Sequence, residues 1–324
     1  MRVVFCGTPL FSVPTLKHLL AQPDFQIVAT ITQPDRPRGR GQEVSFSPVK
    51  EIALAAGIPV HQPEKIRAPE VQELLQKLAP EVIVIIAYGQ IIPARLLTIP
   101  KLGWINLHAS LLPKYRGAAP INWAIVNGET KTGATSMRID AGMDTGEILL
   151  QKEMEIGSAE TAPELAARMS ELGAPLMVET LRGLAAGTIL PRPQAHELAS
   201  SAPMLKKADG RIDWSRPAQE IFHRIRGFAP WPGAYTSFRG QTCHIWGEPA
   251  SNDLGEQGAP QVTGTVPGSL VVRKSGQKNE TLVRCGGTTY LRLLGVKLEG
   301  RKLVSAAEFV HGAHLLTSEH FGES

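Results

Sequence analysis

The segment Val82-Ile83-Val84-Ile85-Ile86-Ala87 decides the fold class of this chain. All six residues are apolar, without the alternation of polar and apolar side chains that marks a strand with one face in water. A short, unbroken apolar run rich in β-branched residues is typical of a parallel strand that helices cover on both faces. The segment therefore predicts a central strand of an α/β sheet.

Further strands and helices alternate on both sides of this segment, up to about Leu190. Apolar runs predict strands, whereas apolar residues three and four positions apart predict helices. The alternation indicates a doubly wound, mostly parallel, Rossmann-like sheet, which we expect to occupy residues 1–190 as a first domain. The other predicted strands are 3–6, 27–31, 105–107 and 134–139, and the predicted helices are 11–20, 48–56, 70–78, 119–126 and 164–184.

The pattern changes beyond residue 190. Residues 191–206 are polar with scattered prolines and predict a linker. Residues 207–315 hold one predicted helix, 218–226, and six short apolar pieces cut by Gly and Pro, which predicts a small antiparallel β-barrel of the OB type. The six pieces are 234–239, 242–246, 264–266, 270–273, 281–285 and 289–294. We expect residues 316–324 to form a frayed tail.

The composition of the 324-residue chain limits its class. The formal net charge is +4, from 34 Lys and Arg against 30 Asp and Glu, which permits a nucleic-acid partner without requiring one. Its three isolated cysteines argue against a disulfide framework and against a zinc site. No apolar run approaches the roughly 20 residues that span a bilayer, and the chain starts with a predicted strand rather than a signal peptide. We therefore expect a cytoplasmic protein with neither a metal nor a membrane association.

Asn106 and His108 lie two residues apart in the predicted strand Gly103-Trp104-Ile105-Asn106-Leu107-His108. Side chains two apart in a strand leave the same face. An amide can donate to a tetrahedral oxyanion, and an imidazole can stabilise charge or move a proton. A lone histidine there is more often a hydrogen-bonded core residue, but two polar side chains near the carboxyl end of a parallel strand favour a ligand site.

Asp144 is the candidate carboxylate of the same site. It lies in Asp140-Ala141-Gly142-Met143-Asp144-Thr145-Gly146, a loop that follows the predicted strand 134–139. If that strand neighbours the strand of Asn106, the loop carries Asp144 toward His108. Either aspartate could instead serve only the turn, since Asp side chains accept hydrogen bonds from nearby backbone amides.

Taken together, these segments resemble the formyltetrahydrofolate-dependent formyltransferases. The resemblance rests first on Asn106-Leu107-His108-Ala109-Ser110-Leu111-Leu112-Pro113 and on the Asp144 loop. It extends in the expected order over nearly the whole chain. Its other parts are Gly7-Thr8-Pro9, Gln33-Pro34-Asp35-Arg36-Pro37, Ala87-Tyr88-Gly89, Tyr115-Arg116-Gly117-Ala118-Ala119-Pro120-Ile121 and Trp231-Pro232-Gly233.

The resemblance implies an activity and a set of roles. It implies transfer of a formyl group from 10-formyltetrahydrofolate to the amino group of charged initiator methionyl-tRNA, for initiation of translation. Catalytic roles are implied for Asn106, His108 and Asp144. Folate contacts are implied for Ala87, Tyr88, Gly89, Ser110, Leu111, Leu112, Pro113 and Asp140. Contacts with tRNA are implied for Arg36, Arg38, Arg40, Lys206 and Lys207.

The residues alone leave other functions open. The basic stretch 33–47 could be a solvated surface loop, and the C-terminal Lys and Arg residues could serve solubility. A formyltetrahydrofolate hydrolase would use water as the acceptor and need no basic loop. A formyltransferase of amino sugars would share the site, whereas a non-enzymatic RNA-binding protein would keep only the scaffold. We expect a monomer that binds folate in a catalytic domain, residues 1–190, and tRNA also through the barrel.

Overall fold

The computed structural model describes residues 1–38, 43–250, 266–275, 278–314 and 319–322. The chain divides into two compact units. The first contains Met1–Ile121, Lys131–Ile156 and Glu164–Pro203. The second contains Asn122–Thr130, Gly157–Pro163 and Met204–Ser324. Two short segments from the first half of the sequence therefore belong to the second unit.

A mostly parallel sheet is the core of the first unit. Its strands and those of a small hairpin are β1 (Arg2–Gly7), β2 (Gln26–Ile31), β3 (Arg36–Arg38), β4 (Glu43–Ser45), β5 (Val60–His61), β6 (Val82–Ile86), β7 (Trp104–His108), β8 (Lys131–Arg138) and β9 (Ile148–Glu155). The sheet order is β5-β2-β1-β6-β7-β8-β9, and β3 pairs with β4 apart from it. Only β8 runs antiparallel to its neighbours in the sheet. The predicted fold class is confirmed.

The β6 strand has the buried, central position that its apolar run predicts. All five of its residues are buried, and it pairs in parallel with β1 and β7. The five strands from β5 to β7 in the sheet pair in parallel with their neighbours, and taken in chain order they are arranged third, second, first, fourth, fifth, which is the Rossmann order. Ligands of such sheets bind outside the carboxyl ends of the strands, where the order reverses. The ends of β1, β6 and β7 are therefore the expected location of a site.

Helices connect the strands of the first half of the chain. They are α1 (Val13–Leu20), α2 (Pro48–Ala55), α3 (Pro69–Leu78), α4 (Ala94–Leu97), α5 (Pro120–Val126) and α6 (Ala162–Ala186). The predicted helix 11–20 is instead a 3-10 turn, Leu10–Ser12, followed by α1. The break has a physical cause, because Pro14 in the first turn of α1 has no backbone N–H to donate to the carbonyl of Leu10. The buried Ser12 hydroxyl donates to the carbonyl of Ile86 at 2.8 Å and ties the turn to the end of β6.

An antiparallel sheet forms the core of the second unit. Its elements are α7 (Ala218–Gly227), β10 (Tyr235–Phe238), β11 (Gln241–Pro249), β12 (Leu270–Ser275), β13 (Lys278–Arg284), β14 (Tyr290–Leu298), β15 (Val304–Ser305) and α8 (Ala306–Ala313). The strand order is β10-β11-β14-β13-β12, with β15 beside β14. Of the predicted strand 264–266, the first two residues lie outside the described part, and Val266 is not in a strand.

The two segments from the first half of the sequence are held in the second unit by polar contacts. The Asn122 amide donates to the carbonyl of Gly227, at the end of α7, at 2.7 Å. The Arg226 guanidinium is only 4% exposed and donates to the carbonyls of Gly157 and Glu160 at 3.2 and 3.0 Å. A buried guanidinium needs such acceptors, because they replace the water that it loses.

Residues 319–322 close the antiparallel sheet. The Phe321 amide donates to the carbonyl of Gly268, just before β12, and the Gly322 amide donates to the carbonyl of Ser237 in β10, both at 2.9 Å. The two edge strands are thereby linked through this short segment, as expected for a barrel.

The expectation of a frayed tail is wrong for residues 319–322. Phe321 is 1% exposed, and its ring stacks on Trp214 with centroids 5.6 Å apart and meets the edge of Phe238 at 5.8 Å. One buried aromatic ring outweighs the polar character of its neighbours in sequence, because burying a large apolar side chain contributes about 1.5–3 kcal/mol.

Replacing Phe321 with Ala should therefore destabilise the second unit by about 3–5 kcal/mol, because the change leaves a cavity among aromatic rings. Denaturant unfolding of the full-length protein, followed by tryptophan fluorescence, measures the change. The matched control is Leu303→Ala, since Leu303 is 54% exposed and should cost far less. Equal effects of the two substitutions would show that the end of the chain is not part of the core.

Candidate active site

The candidate residues gather at the carboxyl edge of the parallel sheet. Asn106 and His108 are in the last half of β7, and the loop 87–89 directly follows β6. Asn106 is half-buried, His108 is buried, and the alternation of the strand puts both on one face. Among the described residues, the Asn106 amide has no hydrogen-bond partner, so its N–H groups remain available to a ligand.

His108 is held between two oxygen acceptors. Its Nε2 lies 2.9 Å from the carbonyl oxygen of Tyr115, and its Nδ1 lies 3.6 Å from Oδ2 of Asp144. The second distance is that of an ion pair rather than of a hydrogen bond. An oxygen atom thus faces each ring nitrogen, one at hydrogen-bond distance and one slightly beyond it.

Asp144 reaches His108 because its backbone and its carboxylate are both fixed. Its φ is +53°, in the left-handed region that few residues other than Gly adopt. Its Oδ2 accepts from the backbone amide of Gly117 at 2.9 Å. Gly117 has φ +123°, and a β-carbon there would lie 2.6 Å from the carbonyl oxygen of Ala202. Only Gly fits this position without moving the amide that Asp144 needs.

Sequence reasoning missed Gln194, which contacts the same loop. It is 5% exposed, and its amide nitrogen donates to the carbonyls of Asp144 and Gly146 at 2.9 and 2.7 Å. Its amide oxygen accepts from the guanidinium of Arg116. Gln194 lies in a stretch that composition predicts to be a linker, so only its closeness in the folded chain identifies it.

The rest of that stretch packs along the loop after β7. The backbone amide of Arg116 donates to the carbonyl of Ser200 at 2.8 Å, and the amide of Ala202 donates back to the carbonyl of Arg116 at 2.7 Å. The Tyr115 amide donates to the Ser200 hydroxyl at 2.9 Å. Residues 191–203 accordingly belong to the first unit.

The segment from Ser110 to Pro113 is anchored to the sheet. Ser110 is fully buried, and its hydroxyl donates to the carbonyl of Lys114 at 2.6 Å. The Thr135 hydroxyl donates to the carbonyl of Ser110 at 2.6 Å and accepts from the amide of Leu112 at 3.2 Å. Leu112 is buried, whereas Leu111 and Pro113 are half-buried. The Ser110 hydroxyl is thus committed to its own turn and is not placed as a nucleophile.

The loop Ala87-Tyr88-Gly89 presents backbone rather than side chains. Tyr88 is 2% exposed and packs in the core of the sheet, and this burial raises the pKa of its phenol. Its carbonyl accepts from the side-chain amide of Gln33 at 2.9 Å. Ala87 and Gly89 are exposed, with φ of +47° and +89°. Any ligand at this loop would therefore meet the main chain of Ala87 and Gly89.

Asp140 makes the local contacts of a turn. Its Oδ1 accepts from the amide of Gly142 at 3.0 Å and from the hydroxyl of Thr145 at 2.7 Å. The residue is exposed. These contacts shape the loop that ends at Asp144.

The hairpin formed by β3 and β4 starts from a half-buried polar cluster. The ammonium of Lys50 pairs with Asp35 and donates to Oε1 of Gln62 at 2.8 Å, and Gln62 donates to Oδ1 of Asp35 at 2.9 Å. The Lys50 hydrogen bond holds the pKa of the Asp35 carboxyl below its ordinary value, and Gln62 adds to this. The hairpin is therefore fixed at its base.

The predicted tRNA contacts lie in separate parts of the structure. Arg36 is exposed in β3, 3.7 Å from Glu64. Arg38 ends β3, and Arg40 lies outside the described residues. Lys206 and Lys207 are exposed in the second unit, where Lys207 begins a short 3-10 turn.

The three cysteines, Cys6, Cys243 and Cys285, are free and buried. Burial raises the pKa of the Cys243 and Cys285 thiols to about 12, which keeps both neutral. Within the described ranges, no group of His, Cys, Asp and Glu is arranged to hold a metal ion. No helix in that part of the chain is long and apolar enough to cross a membrane.

Comparison with solved structures supports the fold. The sugar 3N-formyl transferase WlaRD, determined in the presence of dTDP and 5-N-formyl-THF, superimposes with a TM-score of 0.65 at 18% identity, over 93% of this chain and 99% of its own. The N-formyltransferase of Helicobacter canadensis, in complex with folinic acid and dTDP-3-aminofucose, gives 0.63 at 18% identity, over 90% and 98%.

Sequence comparison identifies the family. The Formyl transferase family matches residues 1–181, and the Formyl transferase C-terminal domain matches residues 204–314. A methionyl-tRNA formyltransferase of Solibacter usitatus is 50% identical over 323 residues, which cover 100% of this chain and 99% of the relative. The resemblance inferred from the motifs is confirmed, and the chain belongs to the methionyl-tRNA formyltransferase family of formyl transferases.

Proposed function

We propose that this protein transfers the formyl group of 10-formyltetrahydrofolate to the amino group of methionyl initiator tRNA, for initiation of translation. The observation that carries the proposal is the pair formed by the buried His108 and the half-buried Asp144, 3.6 Å apart, at the carboxyl edge of the sheet. The identity of 50% to a methionyl-tRNA formyltransferase over the full length supports it.

The reaction needs charge stabilisation and one proton transfer. The amine nitrogen attacks the formyl carbon, a new C–N bond forms, and the bond from that carbon to the bridging nitrogen of the folate breaks. The proton lost by the amine ends on that nitrogen. No covalent bond to the protein is required.

Three side chains carry these steps. The free Asn106 amide donates to the formyl oxygen as negative charge develops on it, and the His108 imidazolium stabilises that charge from a buried position. Asp144 keeps the imidazolium in place and, through water, relays the proton from the amine to the leaving nitrogen. Burial strengthens each of these interactions, because little water screens them.

The folate is proposed to lie along the carboxyl edge, against the loop 87–89, the segment 110–113 and Asp140. The exposed main chain at Ala87 and Gly89 suits the polar edge of a pteridine ring, since backbone groups can donate and accept side by side. Donors and acceptors from the main chain do not depend on side-chain rotamers, so they hold a planar ring in one orientation.

The charged tRNA is proposed to meet Arg36 and Arg38 of β3, Arg40, and Lys206 and Lys207 of the second unit. Guanidinium groups suit phosphates and base edges, whereas lysines act mainly as point charges on phosphates. We further propose that the protein acts as a cytoplasmic monomer. Residues 1–190, together with the stretch 191–203 that packs beside the site, are catalytic, and residues 207–315 bind tRNA.

A competition between acceptors tests the function. The protein is incubated with 10-formyltetrahydrofolate and charged initiator methionyl-tRNA, free methionine or an amino-sugar nucleotide, and with no added acceptor. We expect fast formylation of the tRNA only. Formate released at the same rate without any acceptor would establish a hydrolase, and preferred formylation of the sugar would establish an amino-sugar enzyme.

Replacing His108 with Ala, or Asp144 with Asn, should lower kcat by about 10²–10⁴-fold, the usual effect of losing a positioned acid–base group. Single-turnover formyl transfer measures the effect. His18→Ala and Asp24→Asn are matched controls, because both side chains are exposed and belong to the segment that leads from α1 to the amino end of β2. Turnover near normal in either site variant would refute the assigned roles.

Replacing Arg40 with Ala should reduce kcat/KM for tRNA far more than it weakens folate binding, because the residue is proposed to contact only the nucleic acid. Kinetics at two salt concentrations, beside calorimetry with a folate analogue, measure both. Lys17→Ala removes one charge from the exposed face of α1 and serves as control. Unchanged tRNA kinetics would show that the basic stretch 33–47 does not bind tRNA through Arg40, and would favour the hydrolase or the amino-sugar enzyme.

A further inference from the structure

Gln194 uses every hydrogen-bonding position of its side-chain amide. Its nitrogen donates to the carbonyl of Asp144 at 2.9 Å and to that of Gly146 at 2.7 Å. Its oxygen accepts from Nε and Nη2 of Arg116 at 2.9 and 2.6 Å. An amide has two donor hydrogens and two acceptor lone pairs, so all four are satisfied.

These partners fix the orientation of the amide. Carbonyl oxygens can only accept and a guanidinium can only donate, so turning the amide over would oppose like groups on both sides. A carboxylate at position 194 would serve the guanidinium equally well but would face two carbonyl oxygens without a donor. The site therefore distinguishes an amide from a carboxylate of the same size.

The Gln194 nitrogen holds the part of the loop where the backbone is left-handed. Asp144 has φ +53°, a conformation that surrounding contacts must maintain in a residue other than Gly. Two residues on, a β-carbon at Gly146 would lie 1.9 Å from the carbonyl oxygen of Arg138, so the main chain of Gly146 packs closely against that of Arg138. Bonds to the carbonyls of both residues keep the turn that aims the Asp144 carboxylate at His108.

The Gln194 oxygen acts on the other support of the same carboxylate. Arg116 directly precedes Gly117, whose amide donates to Oδ2 of Asp144 at 2.9 Å. The main chain of Arg116 is paired with Ser200 and Ala202, and its guanidinium contacts Gln194 and, at 3.2 Å, Nδ1 of His196. The buried Gln194 side chain thus links the main chain at Asp144 to the segment whose Gly117 amide donates to the Asp144 carboxylate.

We infer that Gln194 is a positioning residue for formyl transfer, which sets the place of the Asp144 carboxylate beside His108 without touching the substrates. The inference rests on the proposed function. Displacement of a catalytic group by about 1 Å can cost about 10²-fold in rate. We therefore expect a loss of that size in kcat, with little change in KM for the folate or the tRNA.

The variants Gln194→Glu and Gln194→Leu test the inference in the full-length protein. Glutamate keeps the contact with Arg116 and loses both donors, whereas leucine loses all four bonds. If Gln194 positions Asp144, kcat falls by about 10²-fold in both variants. If Gln194 serves only to anchor Arg116, glutamate retains normal kcat, and that result would overturn the inference.

The control is Thr180→Val, which removes a buried hydroxyl that bonds to Leu176 and Ser136, both at 2.7 Å. It should lower the melting temperature with no loss of kcat, so that destabilisation and mispositioning are separated. If Thr180→Val lowered kcat as much as the Gln194 variants do, the fall in kcat of those variants would be explained by lower stability, and the inference would be overturned.

A second measurement does not depend on turnover. The ring signals of His108 in NMR spectra, assigned by their absence from His108→Ala, should shift in Gln194→Glu and stay in place in Thr180→Val. Unchanged His108 signals in both Gln194 variants would overturn the inference even if the unmodified protein transferred no formyl group. Absence of formyl transfer by the unmodified protein would instead refute the proposed function.

Discussion

The candidate site depends on one electrostatic contact, the approach of the Asp144 carboxylate to the His108 imidazole below the protein surface. The two side chains keep only 20% and 6% of their exposure. Removing charged groups from water is costly unless other polar groups replace the lost hydrogen bonds. The Gly117 amide and the Tyr115 carbonyl provide that replacement, one for each partner. The loops beside β7 can be understood as the structure that delivers these two backbone groups.

The groups that support this contact come from distant parts of the first unit. His108 ends β7, Gly117 lies in the following loop, Asp144 follows β8, and Gln194 comes after α6. No local segment contains the site, so it forms only when the sheet and the returning chain have both folded. Bringing together residues so far apart in sequence has an entropic cost. Packing elsewhere in the unit must offset this cost, so the geometry of the site depends on the stability of the whole unit.

The parallel sheet could be predicted from the sequence because its central strands are buried on both faces. Features that depend on a single buried side chain could not be predicted. The run 82–87 is apolar at every position because the interior accepts nothing else there. The strand β9 was not predicted, since its second half lies at the sheet edge and carries exposed Lys152 and Glu153. Gln194 and Phe321 were hidden in polar surroundings for a related reason: one buried side chain gives no periodic signal. The sequence motifs identified Asn106, His108 and Asp144. The hydrogen bonds of Gln194 join segments that are distant in sequence, so composition does not reveal them.

The membership of Asn122–Thr130 and Gly157–Pro163 in the second unit bears on how such proteins can be recombined. A fragment cut at residue 204 would keep α7 but lose the carbonyls of Gly157 and Glu160, leaving the Arg226 guanidinium without its two backbone acceptors. A chimera that exchanged only the C-terminal stretch between two relatives would combine α7 from one parent with the segment Gly157–Pro163 from the other. The unit that can be exchanged is therefore made of three segments of chain. All three segments must come from the same parent protein if the domain is to be swapped.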